Sequence, residues 1–238
     1  MKEFLRRFRG APGGWYLPPA VAFLWNQAVY NGSRLFADAK PHHDFTSAFD
    51  AMTPFIPFTV SIYWLSFLYF PVVFLLMARQ EKTLAYRFFA ADMLAKAVCS
   101  PCFLFLPTTN IRPVVVGDSL WAFLTRILYQ LDAPTNLFPS IHCLLAWLCC
   151  LGVRDIPKSS VGAKAAALLA AAAICISTLT TKQHVIVDVL AGVALAELCY
   201  RFAEKDVVRG TYARTVECLN RFAAPRCKIK QRKRLREP

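Results

Sequence analysis

Charge is what this chain has least of. Asp, Glu, Lys and Arg make up 18% of its 238 residues and hydrophobic residues 56%, whereas a soluble domain usually carries about 25% charged and about 45 to 50% apolar residues. The apolar residues are gathered into blocks of roughly twenty, the length a helix needs to cross about 30 Å of hydrocarbon. A soluble class is thereby excluded. The repeated alternating strands of a membrane barrel are also missing, and in lipid only helices or closed barrels satisfy every backbone polar group. The expected fold is all-α: a polytopic membrane protein forming one domain over residues 1–238.

Other absences narrow the class further. Nine cysteines are present, yet most lie inside apolar blocks (Cys99, Cys102, Cys143, Cys149, Cys150, Cys175, Cys199), where they read as small hydrophobes. Cys99-Ser-Pro-Cys102 has zinc-like spacing but no matching second pair nearby. Cys218 and Cys227 fall in a tail expected to be cytoplasmic, hence reduced. The net charge of +13 owes much to residues 226–236. That run has no aromatics on which bases could stack, which argues against nucleic acid. Residues 207–238 read instead as a basic cytoplasmic tail beside anionic headgroups. The basic N-terminus and the small residues Ala37-Asp38-Ala39 imitate a cleavable signal, but Asn26, Gln27 and Asn31 suit a packed first span better.

The apolar blocks place six spans near 15–36, 58–78, 85–106, 138–153, 162–180 and 184–203. Residues 44–52 and 118–131 read as short amphipathic helices lying in the interface. Lys and Arg fall before span one, between spans two and three, between spans four and five, and after span six. Cytoplasmic loops carry the excess of these residues, so both termini are expected inside. The compact loops point to a bacterial inner membrane with the opposite loops facing outward.

Ionisable groups in or near hydrocarbon are costly and need a reason. Arg87 can snorkel to the cytoplasmic headgroups. Asp92 and Lys96, four apart on one helical face, are expected to neutralise each other. Arg112, Ser140, His142, Lys182, His184 and Asp188 differ, because all fall at the same non-cytoplasmic ends of spans. Spans four and six both start there, so their N-terminal amides are expected to favour an anion. Arg112 and Lys182 add positive charge, and Arg offers two-pronged hydrogen bonds to phosphate. Asp188 can hold one nitrogen of His184 protonated and leave the other free to attack phosphorus. His142 can then protonate the departing oxygen. The adjacent pair His42-His43 lacks further ligands and reads as a solvated loop.

These residues resemble the motifs of the type 2 phosphatidic acid phosphatase superfamily, the histidine-dependent membrane lipid phosphatases and phosphotransferases. The first motif, Lys-x6-Arg-Pro, is matched by Arg112-Pro113, the second, Pro-Ser-Gly-His, by Pro139-Ser140-Ile141-His142, and the third, Ser-Arg-x5-His-x3-Asp, by Ser177, His184 and Asp188. The resemblance implies a phosphohistidine on His184, Asp188 as its orienting partner and His142 as general acid. It implies that Arg112 and Ser140 hold phosphate oxygens, and that no metal or other cofactor is needed. Two family cations are replaced, by Phe105 and Thr178, and Lys182 is expected to compensate in part. The segment from Asp132 through Asn136 to His142, with Lys182-Gln183-His184, looks closer to the inositol phosphorylceramide synthase-like branch. Asn136 joins the substrate-binding candidates on that ground.

The expected activity is hydrolysis of a lipid phosphate ester, the substrate being a phospholipid or a polyprenyl phosphate. The alternative is transfer of a phospho-alcohol headgroup to a lipid acceptor. A proton-coupled transporter using His142, His184 and Asp188 is the rival from another class, opposed because these ionisable residues sit near one surface and leave most of the membrane depth without a pathway.

Overall fold

The computed structural model describes residues 15–37 and 39–223. In chain order its helices are α1 (Leu17–Ala37), α2 (Ala48–Met52), α3 (Val60–Met77), α4 (Lys82–Phe105), α5 (Leu120–Leu131), α6 (Ile141–Asp155), α7 (Val161–Thr180), α8 (Ile186–Phe202) and α9 (Asp206–Ala223). A 3-10 turn at Pro57–Thr59 leads into α3. Two parallel two-residue strands, β1 (His43–Asp44) and β2 (Thr108–Thr109), pair His43 with Thr108 and tie the loop after α1 to the loop after α4.

Serine starts several of these helices. The hydroxyls of Ser119, Ser140 and Ser160 accept the amides of Ala122, Cys143 and Ala163, satisfying donors that the first turns of α5, α6 and α7 leave without helical partners. Pro71 and Pro101 lie inside α3 and α4, a placement membrane helices tolerate when neighbours satisfy the freed backbone groups.

The helices α1, α3, α4, α6, α7 and α8 occupy the six apolar blocks. Three stretches, Pro57–Met77, Lys82–Phe105 and Val161–Thr180, are long and apolar enough to cross a bilayer. The others are less plainly membrane-like, for physical reasons. The 15 residues of α6 reach about 22 Å at 1.5 Å per residue, short of roughly 30 Å of hydrocarbon. α6 is packed by α3, α4, α7 and α8, so it serves as the core of the bundle and meets little lipid. α1 carries Asn26, Gln27 and Asn31.

Outward-facing Leu65, Leu68, Leu168, Leu169, Leu190 and Leu198 give α3, α7 and α8 an apolar outer surface. Inside, Asp92 and Lys96 form an ion pair at 2.8 Å, as their spacing predicts. Arg87 is held by Asp155 at 3.1 Å and Glu204 at 3.3 Å.

One element was not expected. The chain beyond residue 206 continues as α9, which lays Val208, Tyr212 and Val216 against the core beside α4 and α1. These residues recur every fourth position and make one apolar stripe on an otherwise polar helix. The segment read as a tail is therefore a packed helix to Ala223, and the basic run 226–236 lies outside the described residues.

The contact that matters most for the site is between α8 and α6. A Cβ on Gly192 would lie 2.5 Å from the carbonyl oxygen of Ser140 and 3.2 Å from the amide nitrogen of Leu144. Both are backbone atoms and cannot rotate away, so only glycine lets α8 approach the start of α6. Gly192→Ala is expected to cost about 1–3 kcal/mol through overpacking. Thermal unfolding in detergent checks this, and an unchanged midpoint would show that the two helices are not held in this register.

Candidate active site

The site is built where α6 and α8 begin. Asp188, in the first turn of α8, accepts the amide of Val185 at 3.1 Å and faces His184 Nδ1 at 3.3 Å through the same oxygen, Oδ2. Its own carbonyl accepts the amide of Ser140 at 3.1 Å. One residue thus caps α8, orients His184 and anchors the entry to α6.

His184 precedes the helix, in the turn between α7 and α8. Its amide and that of Gln183 both reach the carbonyl of Thr178, at 3.1 and 2.9 Å. With a proton on Nδ1 directed at Asp188, Nε2 keeps its lone pair. Burial disfavours the charged imidazole, but the Asp188 hydrogen bond and charge outweigh it and raise the pKa above the usual 6.5.

His142 lies across from it, with the two ring centroids 6.2 Å apart. That separation is on the scale of one small group with reacting partners about 3–3.5 Å away on either side. Behind His142 is a network that sequence reasoning missed. Tyr63 lies 3.2 Å from His142 Nδ1 and donates its hydroxyl proton to Asp132 Oδ2 at 3.1 Å. Tyr30 donates to the other Asp132 oxygen. A carboxylate only accepts, so the single Tyr63 proton goes to Asp132 and His142 Nδ1–H must donate to the Tyr63 oxygen. This fixes the tautomer and leaves His142 Nε2 to exchange protons with the site. Asp132 opens the segment whose resemblance drew attention in the sequence and lies in a loop on the same face as the histidines, but neither signal pointed to a contact with Tyr63 or Tyr30.

Arg112 is held as expected near these groups. Its guanidinium donates to the Gln183 side chain at 2.8 Å and to the Asp132 carbonyl, and rests over the Tyr129 ring at 4.9 Å. Burial lowers its pKa, with Asp132 opposing, and a cation short of water attracts an anion more strongly. Tyr129 is pushed up to about 12 by burial, so it stays neutral and donates to the Thr181 carbonyl at 2.7 Å. Arg112 Nε and Gln183 Nε2 are buried donors without an acceptor among the described residues. Ser140 Oγ accepts the Cys143 amide at 3.3 Å.

Two candidates are held elsewhere. Lys182 donates to the carbonyls of Asp50 and Thr53 at 2.7 and 2.6 Å, so its ammonium clamps the α2 loop onto the α7–α8 turn. The conformation of the turn explains this, since Lys182 sits at φ +55°. Asn136 is 2% exposed and its amide donates to the Tyr30 carbonyl and Ser33 hydroxyl of α1. Of the two replaced family cations, Phe105 is 80% exposed and Thr178 is buried, its hydroxyl donating to the Cys175 carbonyl.

The helix-end expectation changes as well. Asp50 accepts the Ile186 amide at 2.7 Å, and Asp188 takes that of Val185. Carboxylates already occupy these two amides at the head of α8, so anion binding rests chiefly on side-chain donors. His43 belongs to β1, and no cluster of three or more metal-ligating side chains occurs among the described residues.

A family model described as the PAP2 superfamily matches residues 37–202. No curated protein and no solved structure matches the chain.

Nitrogen-15 titration of histidine-labelled protein in micelles is expected to place the His184 pKa above 6.5 and to lower it in Asp188→Asn, where burial acts without its opposing charge. A wild-type value at or below 6.5 would contradict the orientation by Asp188.

Proposed function

We propose, because the chain belongs to the PAP2 superfamily, that it is an integral membrane lipid phosphatase working through a phosphohistidine on His184. The observation that carries this reading is the pair of imidazoles 6.2 Å apart, each backed by a carboxylate on its Nδ1 side: Asp188 directly for His184, and Asp132 through Tyr63 for His142. The two supports leave Nε2 of both rings available to the same small space.

The residues divide the work by chemistry. Arg112, the Ser140 hydroxyl and the Gln183 amide hold the non-bridging phosphate oxygens, giving the two unpaired buried donors their acceptors. His184 Nε2 attacks phosphorus as the phosphorus–oxygen bond to the lipid breaks. The leaving oxygen takes its proton from His142 Nε2, and the resulting imidazole is neutral. In the second half, His142 Nε2 removes a proton from water, whose oxygen attacks phosphorus and releases phosphate from His184. Asp132, reached through Tyr63, stabilises the imidazolium that forms and discharges in each cycle.

The topology of this reading is six membrane-crossing helices with both termini cytoplasmic and the histidines at the outer face of a bacterial inner membrane. The arginine and lysine distribution supports it. No metal is assigned a role.

A second reading, transfer of a phospho-alcohol headgroup to a lipid hydroxyl, is favoured by one observation. Phe105 turns outward, Thr178 is bonded to its own helix and Lys182 clamps a loop, so Arg112 is left to supply the site's main positive charge. A phosphodiester monoanion needs less positive charge than a phosphomonoester dianion.

Brief incubation with phosphorus-labelled phosphatidic acid or a labelled phosphodiester lipid, followed by a basic quench, is expected to leave label on the peptide containing His184 and none in His184→Ala. Free phosphate as product marks hydrolysis, and a new labelled lipid marks transfer. His142→Ala is expected to slow lipid turnover by about 10²–10⁴, and far less for an aryl phosphate whose leaving group needs no proton. Equal labelling of His184→Ala would exclude the phosphohistidine.

A further inference from the structure

A cavity of about 650 Å³ opens between α1 and α3, with His142 and Asp132 at one end and Lys96 towards the other. Resting on the phosphohistidine reading above, we propose that it holds the alcohol portion of the lipid, and that Asn26, Gln27 and Asn31 select a lipid with carbonyl, amide or hydroxyl groups close to the ester oxygen.

The side of the reaction follows from which histidine is present. His142 forms part of the cavity wall, whereas His184 lies beyond it. In a displacement at phosphorus the leaving oxygen departs opposite the attacking nitrogen. With His184 attacking, the group beside His142 is the one that leaves, or the alcohol that enters in its place. The cavity therefore takes the lipid body and not the phosphate.

The wall explains what kind of lipid. Most of it is apolar, including Phe23, Pro71, Phe74 and Leu75, which suits a hydrocarbon chain. Three amide side chains of α1 interrupt it. Asn31 donates to Gln27 at 3.1 Å, and Asn26 Oδ1 is buried without a hydrogen-bond partner among the described residues. Amides facing hydrocarbon are costly unless something pairs with them.

Depth fits the same occupant. Tyr30, which reaches Asp132, marks the level of the reacting centre on α1. Asn26 lies about one turn further in, roughly 6 Å along the helix. Groups a few bonds from the leaving oxygen fall at that depth, and in glycerolipids and long-chain bases these are esters, amides or hydroxyls. A polyprenyl phosphate is hydrocarbon from its first carbons and would leave Asn26 Oδ1 unpaired, with Asn31 and Gln27 bonded only to each other.

The test uses the purified full chain in nanodiscs, assayed with phosphatidic acid, a long-chain-base phosphate, a plain alkyl phosphate and a polyprenyl phosphate. The first or second is expected to exceed the alkyl and polyprenyl esters in kcat/KM by roughly tenfold. Asn26→Leu and Asn31→Leu are each expected to reduce that ratio about twofold to tenfold, the worth of one neutral hydrogen bond. A wild-type ratio near one, or ratios unmoved in both variants, would overturn the proposal.

A second arm separates this failure from failure of the phosphohistidine reading. A photoactivatable diacylglycerol is crosslinked to His184→Ala, which removes the proposed nucleophile. Labelling of α1 and α3, competed by diacylglycerol and not by a polyprenol, supports the cavity assignment even if wild type releases no phosphate. Labelling confined to other helices overturns it even if turnover is normal.

Discussion

The site depends on one carboxylate serving two helices. Asp188 closes the first turn of α8 through Val185, turns His184 through Nδ1 and receives the Ser140 amide through its carbonyl. Each contact alone is an ordinary cap or hydrogen bond. Together they make the position of the His184 imidazole inseparable from the start of α6, which carries His142 as its second residue. Gly192, one turn further along α8, allows the approach because a side chain there would strike the Ser140 carbonyl. The distance between the imidazoles is thus set by backbone packing and not by the reach of flexible side chains.

The two histidines share an environment but not a partner, and the proposed division of roles follows from that difference. His184 has a carboxylate in direct contact, an arrangement that fixes its tautomer and orients a lone pair. His142 meets its carboxylate through a tyrosine and is ringed by Tyr63, Phe67 and Phe70. An acid that must give up and regain its proton in each cycle is better served by this looser support than by a direct ion pair. Asp132 also receives Tyr30, while its carbonyl receives Arg112. His142, Arg112 and α1 therefore share one loop residue, and the proposed lipid cavity ends at the same place.

Much of this was legible in the sequence because it depends on local patterns. Apolar blocks located the six long helices, and the spacing of Asp92 and Lys96 gave their ion pair. The contact of His184 with Asp188 was also expected, and it arises because His184 stands before the helix and Asp188 folds back as a cap. What sequence could not show depends on loops that meet only in three dimensions. Lys182 seemed a phosphate ligand by position, but the left-handed turn sends its ammonium to the carbonyls of Asp50 and Thr53. Asn136 likewise turns to α1. Tyr63 and Tyr30 lie in apolar helices far apart in sequence, and only the loop containing Asp132 brings them together. The packed helix α9 was hidden because its apolar stripe is narrow and its remaining surface polar.

The most direct measurement is a structure of the protein with orthovanadate, which takes the geometry of a phosphoryl group in transfer. The account predicts vanadium bonded to Nε2 of His184, an axial oxygen facing Nε2 of His142, and equatorial oxygens on Arg112 and Ser140. Vanadate bound away from both imidazoles, or rings that separate so that only one of them touches it, would contradict the account.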